Sequence, residues 1–198
     1  MADPDVFAVS AKTIDWDRGE PNHVAMHAVW REGLLAEDFT APEERTEASY
    51  AQGGACAVRR SEFLAMGGFA EVFAPGYWED YDLSYWARKR GLRVLYDPKA
   101  IAHHLGKASL GARYGRENLE ILRRRNQILF TWINLSDPAL WARHLAQFPW
   151  AAARSLVRDK DSTLAKGLLR ALPRLGAALA ARRGRRATFR LADRDIVR

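Results

Sequence analysis

The residues best suited to chemistry are Trp78, Glu79, Asp80, Tyr81 and Asp82, which set three carboxylates among aromatic side chains. The spacing from Glu79 to Arg90 is helical, so the carboxylates fall in a first turn. A helix start welcomes one carboxylate, because unpaired amide donors and the dipole favour negative charge there. Three exceed what capping uses. Carboxylates crowded beside aromatic walls raise one another's proton affinity, which suits a general base working near neutral pH. The alternative is a solvated acidic cap, and spacing alone leaves both readings open.

Three further groups invite the same question. Gly53 and Gly54 sit in the small-residue run Tyr50 to Arg59, where they permit either a bulge or the close approach of a ligand or backbone. His103 and His104 are adjacent in an extended segment, so they point to opposite faces and at most one can reach a given side of the sheet. Each is a structural hydrogen-bonding residue or a ligand. Arg123, Arg124, Arg125 and Asn126 form either a solvated helix face or a set of donors for a diphosphate.

Other chemistries are excluded. The chain has no nucleophile elbow and no phosphate-binding P-loop signature. Its single cysteine, Cys56, forms no intramolecular disulfide and belongs to no zinc-binding spacing, which fits a reducing compartment. The net charge of +7 over 198 residues suggests nucleic acid until it is divided along the chain. Residues 154–198 hold 13 Lys and Arg against 4 Asp, leaving the preceding body at −2. The aromatic residues, Phe189 apart, lie in that acidic body and not among the tail arginines, so nucleic-acid binding is not expected.

The elements that must position these residues can be read from pattern. Asp5 to Ile14 reads as a buried strand, and the stretch from there to Ser49 as loop with little regular structure. Tyr50 to Arg59 reads as a strand. Ser61 to Met66 forms a short helix with Ser61 as N-cap, stopped by Gly67 and Gly68. In the helix from Glu79, Leu83, Trp86 and Ala87 share one face and Gly91 closes the end. Leu92 to Tyr96 is a strand, followed by an extended piece from Ala100 to His103. Tyr114 to Trp132 is a long helix, and Asp137-Pro138 opens another that Pro149 should kink or end. Beyond Ser162, Leu164, Leu168, Leu172, Leu175 and Leu179 recur at spacings of 4, 4, 3 and 4, with basic residues on the other faces.

These residues carry a resemblance. Gly53-Gly54-Ala55, Arg59-Arg60, Gly67-Gly68-Phe69, Tyr77 to Leu83, Arg88 to Gly91, and Pro98 followed by His103-His104 resemble, in order and spacing, the C-terminal half of the family 2 glycosyltransferases, rhamnosyltransferase-like members among them. The match covers Asp3 to Leu135. Arg125-Asn126 and Trp132-Ile133-Asn134 resemble later family signatures, with Ile133 where a lysine is often found. The resemblance implies an α/β fold of the Rossmann-like GT-A type with a mixed sheet, spanning residues 1–135, followed by a helical basic appendage over residues 136–198.

It also implies an inverting hexosyltransferase that moves a sugar from a nucleotide-sugar donor to a glycan or lipid-linked acceptor in cell-envelope polysaccharide synthesis. Asp80 would be the base, with Glu79 and Asp82 positioning it or the acceptor. Gly53, Gly54, Trp78, Arg125 and Asn126 would contact substrate, and His103 would help hold a metal or the diphosphate. The divalent cation, Mg or Mn, is expected only with the family's N-terminal nucleotide-binding half, which this sequence does not match. Weak or no transfer is expected without it. The expected location is cytoplasmic, peripheral at the inner face of the plasma membrane. There residues 162–186 could lay their leucines into an anionic surface; packing of that stripe on the body is the alternative. A second function class is a non-catalytic module that binds glycans or membrane surfaces.

Overall fold

Strand β1 (Val6–Asp15) is the spine of the main sheet in a computed structural model that describes residues 3–105 and 113–198. It buries Val6, Phe7 and Ala8, as the apolar run requires. Along one edge β1 runs parallel to β7 (Arg93–His104). Along the other it pairs antiparallel, end to end, with β6 (Cys56–Val58) and β2 (Pro21–His23). β5 (Thr46–Ala48) completes a mixed five-stranded sheet by pairing antiparallel with β7.

The two extended pieces expected after Gly91 are one strand with an irregularity. The register jumps from Asp97 opposite Ala11 to Ile101 opposite Lys12, so Pro98, Lys99 and Ala100 loop out. Proline has no amide to give the ladder, and an extra loop of this kind re-aims the residues beyond it. Those residues include His103 and His104, opposite Ile14 and Asp15.

The stretch expected to be loop contains a hairpin instead. β3 (Ala25–Arg31) and β4 (Leu34–Thr40) pair in full register from Ala25 opposite Thr40 to Arg31 opposite Leu34. The two-residue turn, Glu32 and Gly33, has φ of 54° and 84°, the left-handed pair a tight hairpin demands. The expected strand from Tyr50 to Arg59 is shorter than its pattern suggests: Gly53–Ala55 is a single helical turn, β6 is the one strand, and Tyr50 makes an isolated bridge to Met26.

Helix α1 (Arg60–Ala65) takes Arg59 rather than Ser61 at its N-cap position, with no side-chain cap, and Gly67 and Gly68 end it at φ of 80° and 72°. Helix α2 (Glu79–Lys89) is closed by Gly91 at φ 87°. Helix α3 (Arg116–Asn134) crosses beneath it, and α4 (Pro138–Val157) starts where expected, the Asp137 carboxylate accepting from the Ala139 amide at 2.8 Å. Pro149 does not end α4, which continues through Val157.

The basic segment forms α5 (Thr163–Ala171) and α6 (Leu175–Arg186), joined by a turn at Leu172–Arg174. Its stripe of Leu164, Gly167, Leu168, Ala171, Leu175 and Ala178 packs inward, chiefly on α3. A Cβ at Gly167 would stand 2.7 Å from the Arg124 Cβ and 3.0 Å from the Arg125 amide nitrogen, so glycine sets the helix separation. One hydrophobic cluster joins Met26, Tyr50 and Phe130 of the body to Leu164, Ala178 and Ile196 of the tail. The core therefore runs across the expected boundary at Leu135. Among the described residues no helix is long and apolar enough to cross a membrane.

Candidate active site

The approach to α2 is strained, and the strain is held by α3. Tyr77 and Trp78 sit at φ of 72° and 74°, conformations that cost a non-glycine residue roughly 1 kcal/mol or more each. Asn126 donates through its single amide group to the carbonyls of Phe73, Gly76 and Tyr77 at 2.8, 2.9 and 2.8 Å. Arg125 donates to the Ala74 carbonyl at 2.7 Å and to Asn126 Oδ1 at 2.8 Å. Both residues are buried. Burial lowers the Arg125 pKa to about 10, with Arg174 and Arg170 adding to the effect. Their donors are spent on the loop before α2, a positioning task where the sequence suggested substrate contact.

From that start the three carboxylates diverge, because each residue along a helix turns about 100° from the last. Asp80 Oδ2 accepts from the Gly53 amide at 2.8 Å, and Oδ1 from the Tyr81 amide at 2.9 Å. Burial raises the Asp80 carboxyl above its ordinary range, against the pull of the Gly53 and Tyr81 amides, and Glu37 adds to the rise. A Cβ on Gly53 would lie 3.2 Å from the Asp80 Cβ. The close approach that Gly53 permits is thus to the candidate base itself.

Asp82 turns the opposite way, into the protein. It is 1% exposed and accepts from Asn134 Nδ2 at 2.6 Å and from Arg185 Nη1 at 2.7 Å. Glu79 borders a shallow depression formed with Phe69, Phe73 and Pro75, and its Oε2 is buried without a hydrogen-bond partner. Burial raises its carboxyl, its own backbone amide opposes this, and Asp80 adds to the rise. Trp78 is buried, with its ring 5.0 Å from Tyr81 and 5.1 Å from Phe130. Tyr81 in turn stacks on Tyr50 at 4.7 Å.

The histidine pair divides as strand alternation requires. His103 is exposed and meets Trp16 edge-on at 5.7 Å. The His104 ring is the one beside Gly54, 4.0 Å from where a Cβ would stand. Asp80 therefore lies against Gly53, and the His104 ring against the neighbouring Gly54. The sequence named His103; only the register of β7 against β1 reveals which of the two faces the glycines. Among the described residues no group of three His, Cys, Asp or Glu side chains could hold a metal ion.

No family model matches the chain, and no curated protein matches it. Among solved structures it is similar to the crystal structure of GalNAc-T7 with UDP, GalNAc and Mn2+, at a TM-score of 0.50 and 14% identity. The likeness covers 83% of this chain and 33% of that one, so the chain spans about a third of that structure's length. Such a likeness shows the fold, which is GT-A-like: a mixed α/β architecture around a mixed sheet.

Proposed function

We propose that this chain is the acceptor-side part of an inverting glycosyltransferase, similar to family 2 and its rhamnosyltransferases. It transfers a sugar from a nucleotide-sugar donor to a glycan or lipid-linked acceptor in envelope polysaccharide synthesis. The observation that carries the reading is Asp80, a carboxyl with raised proton affinity, oriented by the Gly53 amide, next to which Gly54 meets the His104 ring. UDP and GalNAc in the similar structure support a nucleotide sugar and a carbohydrate as the classes of partner.

Asp80 Oδ2 accepts from the Gly53 amide and Oδ1 from the Tyr81 amide, and a carboxylate oxygen has a second lone pair with which to accept. The carboxylate takes the proton of an acceptor hydroxyl as that oxygen attacks the anomeric carbon. The bond from that carbon to the diphosphate breaks, its electron pair leaves with the phosphate, and the configuration inverts. One carboxylate suffices, because no covalent intermediate forms. His104 takes the place expected for His103, facing the leaving diphosphate.

A divalent cation neutralises charge on such a leaving group. The described residues do not fit one, and the proton transfer to Asp80 runs without it. Donor and cation are assigned to the nucleotide-binding half that the family resemblance implies. Titration of this chain alone with UDP-, GDP- and dTDP-sugars plus manganese should therefore give weak heats, and tight binding would reject that assignment. In the complete enzyme, Asp80→Asn should lower kcat by roughly 10²- to 10⁴-fold with donor KM unchanged. An unchanged kcat rejects Asp80 as the base.

A further inference from the structure

Between the β3–β4 hairpin, the start of α2 and helix α3 lies a cavity of about 240 Å³. Glu37 of β4, Trp78, and Glu120, Arg123, Arg124 and Gln127 of α3 line it. With Arg31 and Glu32 at the hairpin end, three guanidinium groups face three carboxylates, so the formal charge cancels. Glu32 is held by Arg154 from outside the lining, and the pairs within it are loose. Arg123 stands 3.8 Å from both Glu37 and Glu120, beyond hydrogen-bond distance. Arg124 Nε is 3.3 Å from Glu120 Oε1 yet makes no hydrogen bond with it. Donors and acceptors there keep unused capacity.

That combination narrows the ligand. A diphosphate would meet three carboxylates. A nucleotide calls for more room, since pockets for drug-sized ligands hold roughly 300 to 1,000 Å³. A wholly apolar ligand would strip water from charged groups without replacing it. A single sugar ring satisfies each constraint: its hydroxyls donate to carboxylates and accept from guanidiniums, while Trp78 offers an apolar wall. The cavity also lies beside the acidic helix start, since Trp78, two residues before Asp80, lines it, and Arg123 lies 5.7 Å from the Tyr77 ring centre.

We propose that this cavity is a subsite for one neutral monosaccharide unit of the acceptor, held between Glu37 and Arg123. The proposal rests on the reading of the chain as a transferase. Its test is saturation-transfer NMR and titration of the full chain with methyl α-D-glucoside, methyl α-D-mannoside and methyl α-L-rhamnoside, against glucuronate and pyrophosphate as anionic probes. A neutral glycoside should bind in preference to both anions. Glu37→Gln and Arg123→Gln should each weaken it about tenfold, whereas Asp80→Asn should leave it unchanged. Thermal unfolding checks that each variant is folded, and the half-exposed Arg123 carries the test if Glu37→Gln is not.

Three results overturn the subsite: no glycoside binding at about 50 mM, binding indifferent to both variants, or tighter binding of the anions. Binding lost only in Asp80→Asn would place the sugar at Asp80 itself, overturning the subsite and leaving transfer intact. The transfer reading fails by a different measurement, the turnover of Asp80→Asn in the complete enzyme.

Discussion

Asp82 and Arg185 form a buried ion pair at 2.7 Å, joining α2 to the end of α6 across 103 residues of sequence. The guanidinium also lies 4.2 Å from the ring centre of Trp86, and Asn134 supplies a second donor to the carboxylate. Asp82, expected to position the base or the acceptor, thus forms a structural link with an arginine of the basic segment.

Removing one member of such a pair strands the other charge in the interior. Arg185→Ala should therefore cost about 3 to 5 kcal/mol in urea unfolding. An exposed arginine, by contrast, would cost under about 1 kcal/mol when replaced. A loss in that lower range would show that Asp82 finds compensation elsewhere.

Asp80 should weaken the fold that holds it. Burial raises its folded pKa above the unfolded value of 3.8, so between those two values the folded state binds more protons. Stability from this group is present below the unfolded pKa and is lost as pH rises through the folded one. Asp80→Asn should accordingly have a higher urea midpoint than the parent at pH 7, with the difference shrinking towards pH 3.

Gly53→Ala tests how finely the carboxylate is placed. The new Cβ, 3.2 Å from that of Asp80, must push the side chain or the turn by a few tenths of an ångström. Catalysis is sensitive to small displacements, and kcat of the complete enzyme should fall by about tenfold to a hundredfold. Circular dichroism should show the fold retained.

His144 links α4 to the hairpin through one ring nitrogen and to α3 through the other: Nδ1 lies 2.6 Å from the Gly33 carbonyl, and Nε2 accepts from Trp132 Nε1 at 3.2 Å. That arrangement requires the neutral ring. Burial lowers its pKa from 6.5, outweighing the Gly33 carbonyl's opposite effect. The unfolded state then binds the proton first, so stability is full above about pH 6.5 and declines as pH falls below it. His144→Gln should remove part of that decline. A remainder is expected from His27, lowered chiefly by burial and then by Arg198.

The features legible in the sequence were mostly local chemistry. Gly67, Gly68 and Gly91 end helices through left-handed backbone that their own residue type favours, and Asp137-Pro138 starts α4 by the cap it carries. The hairpin was hidden because Glu32-Gly33 is a weaker turn signal than Asn-Gly, although it separates two apolar runs by two residues. The acidic cluster was visible as a cluster, but its meaning was not. Asp80 is distinguished from Asp82 by Gly53 on one side and Arg185 on the other, and neither contact leaves a trace in local spacing. Alternation separated His103 from His104 without saying which faces the glycines.

The Asp82–Arg185 pair has a counterpart at the other end of the same helix, where Lys89 and Asp193 meet at 2.7 Å with both side chains fully buried. Between them these partners lie 103 and 104 residues downstream of the helix they neutralise. Closing loops of that length is slow, and a helix with unmatched charges has little reason to dock before they close. On a growing chain, the segment bearing Asp80 is made early and must wait unsettled for Arg185 and Asp193 to arrive. Its order of synthesis and its order of folding run in opposite directions.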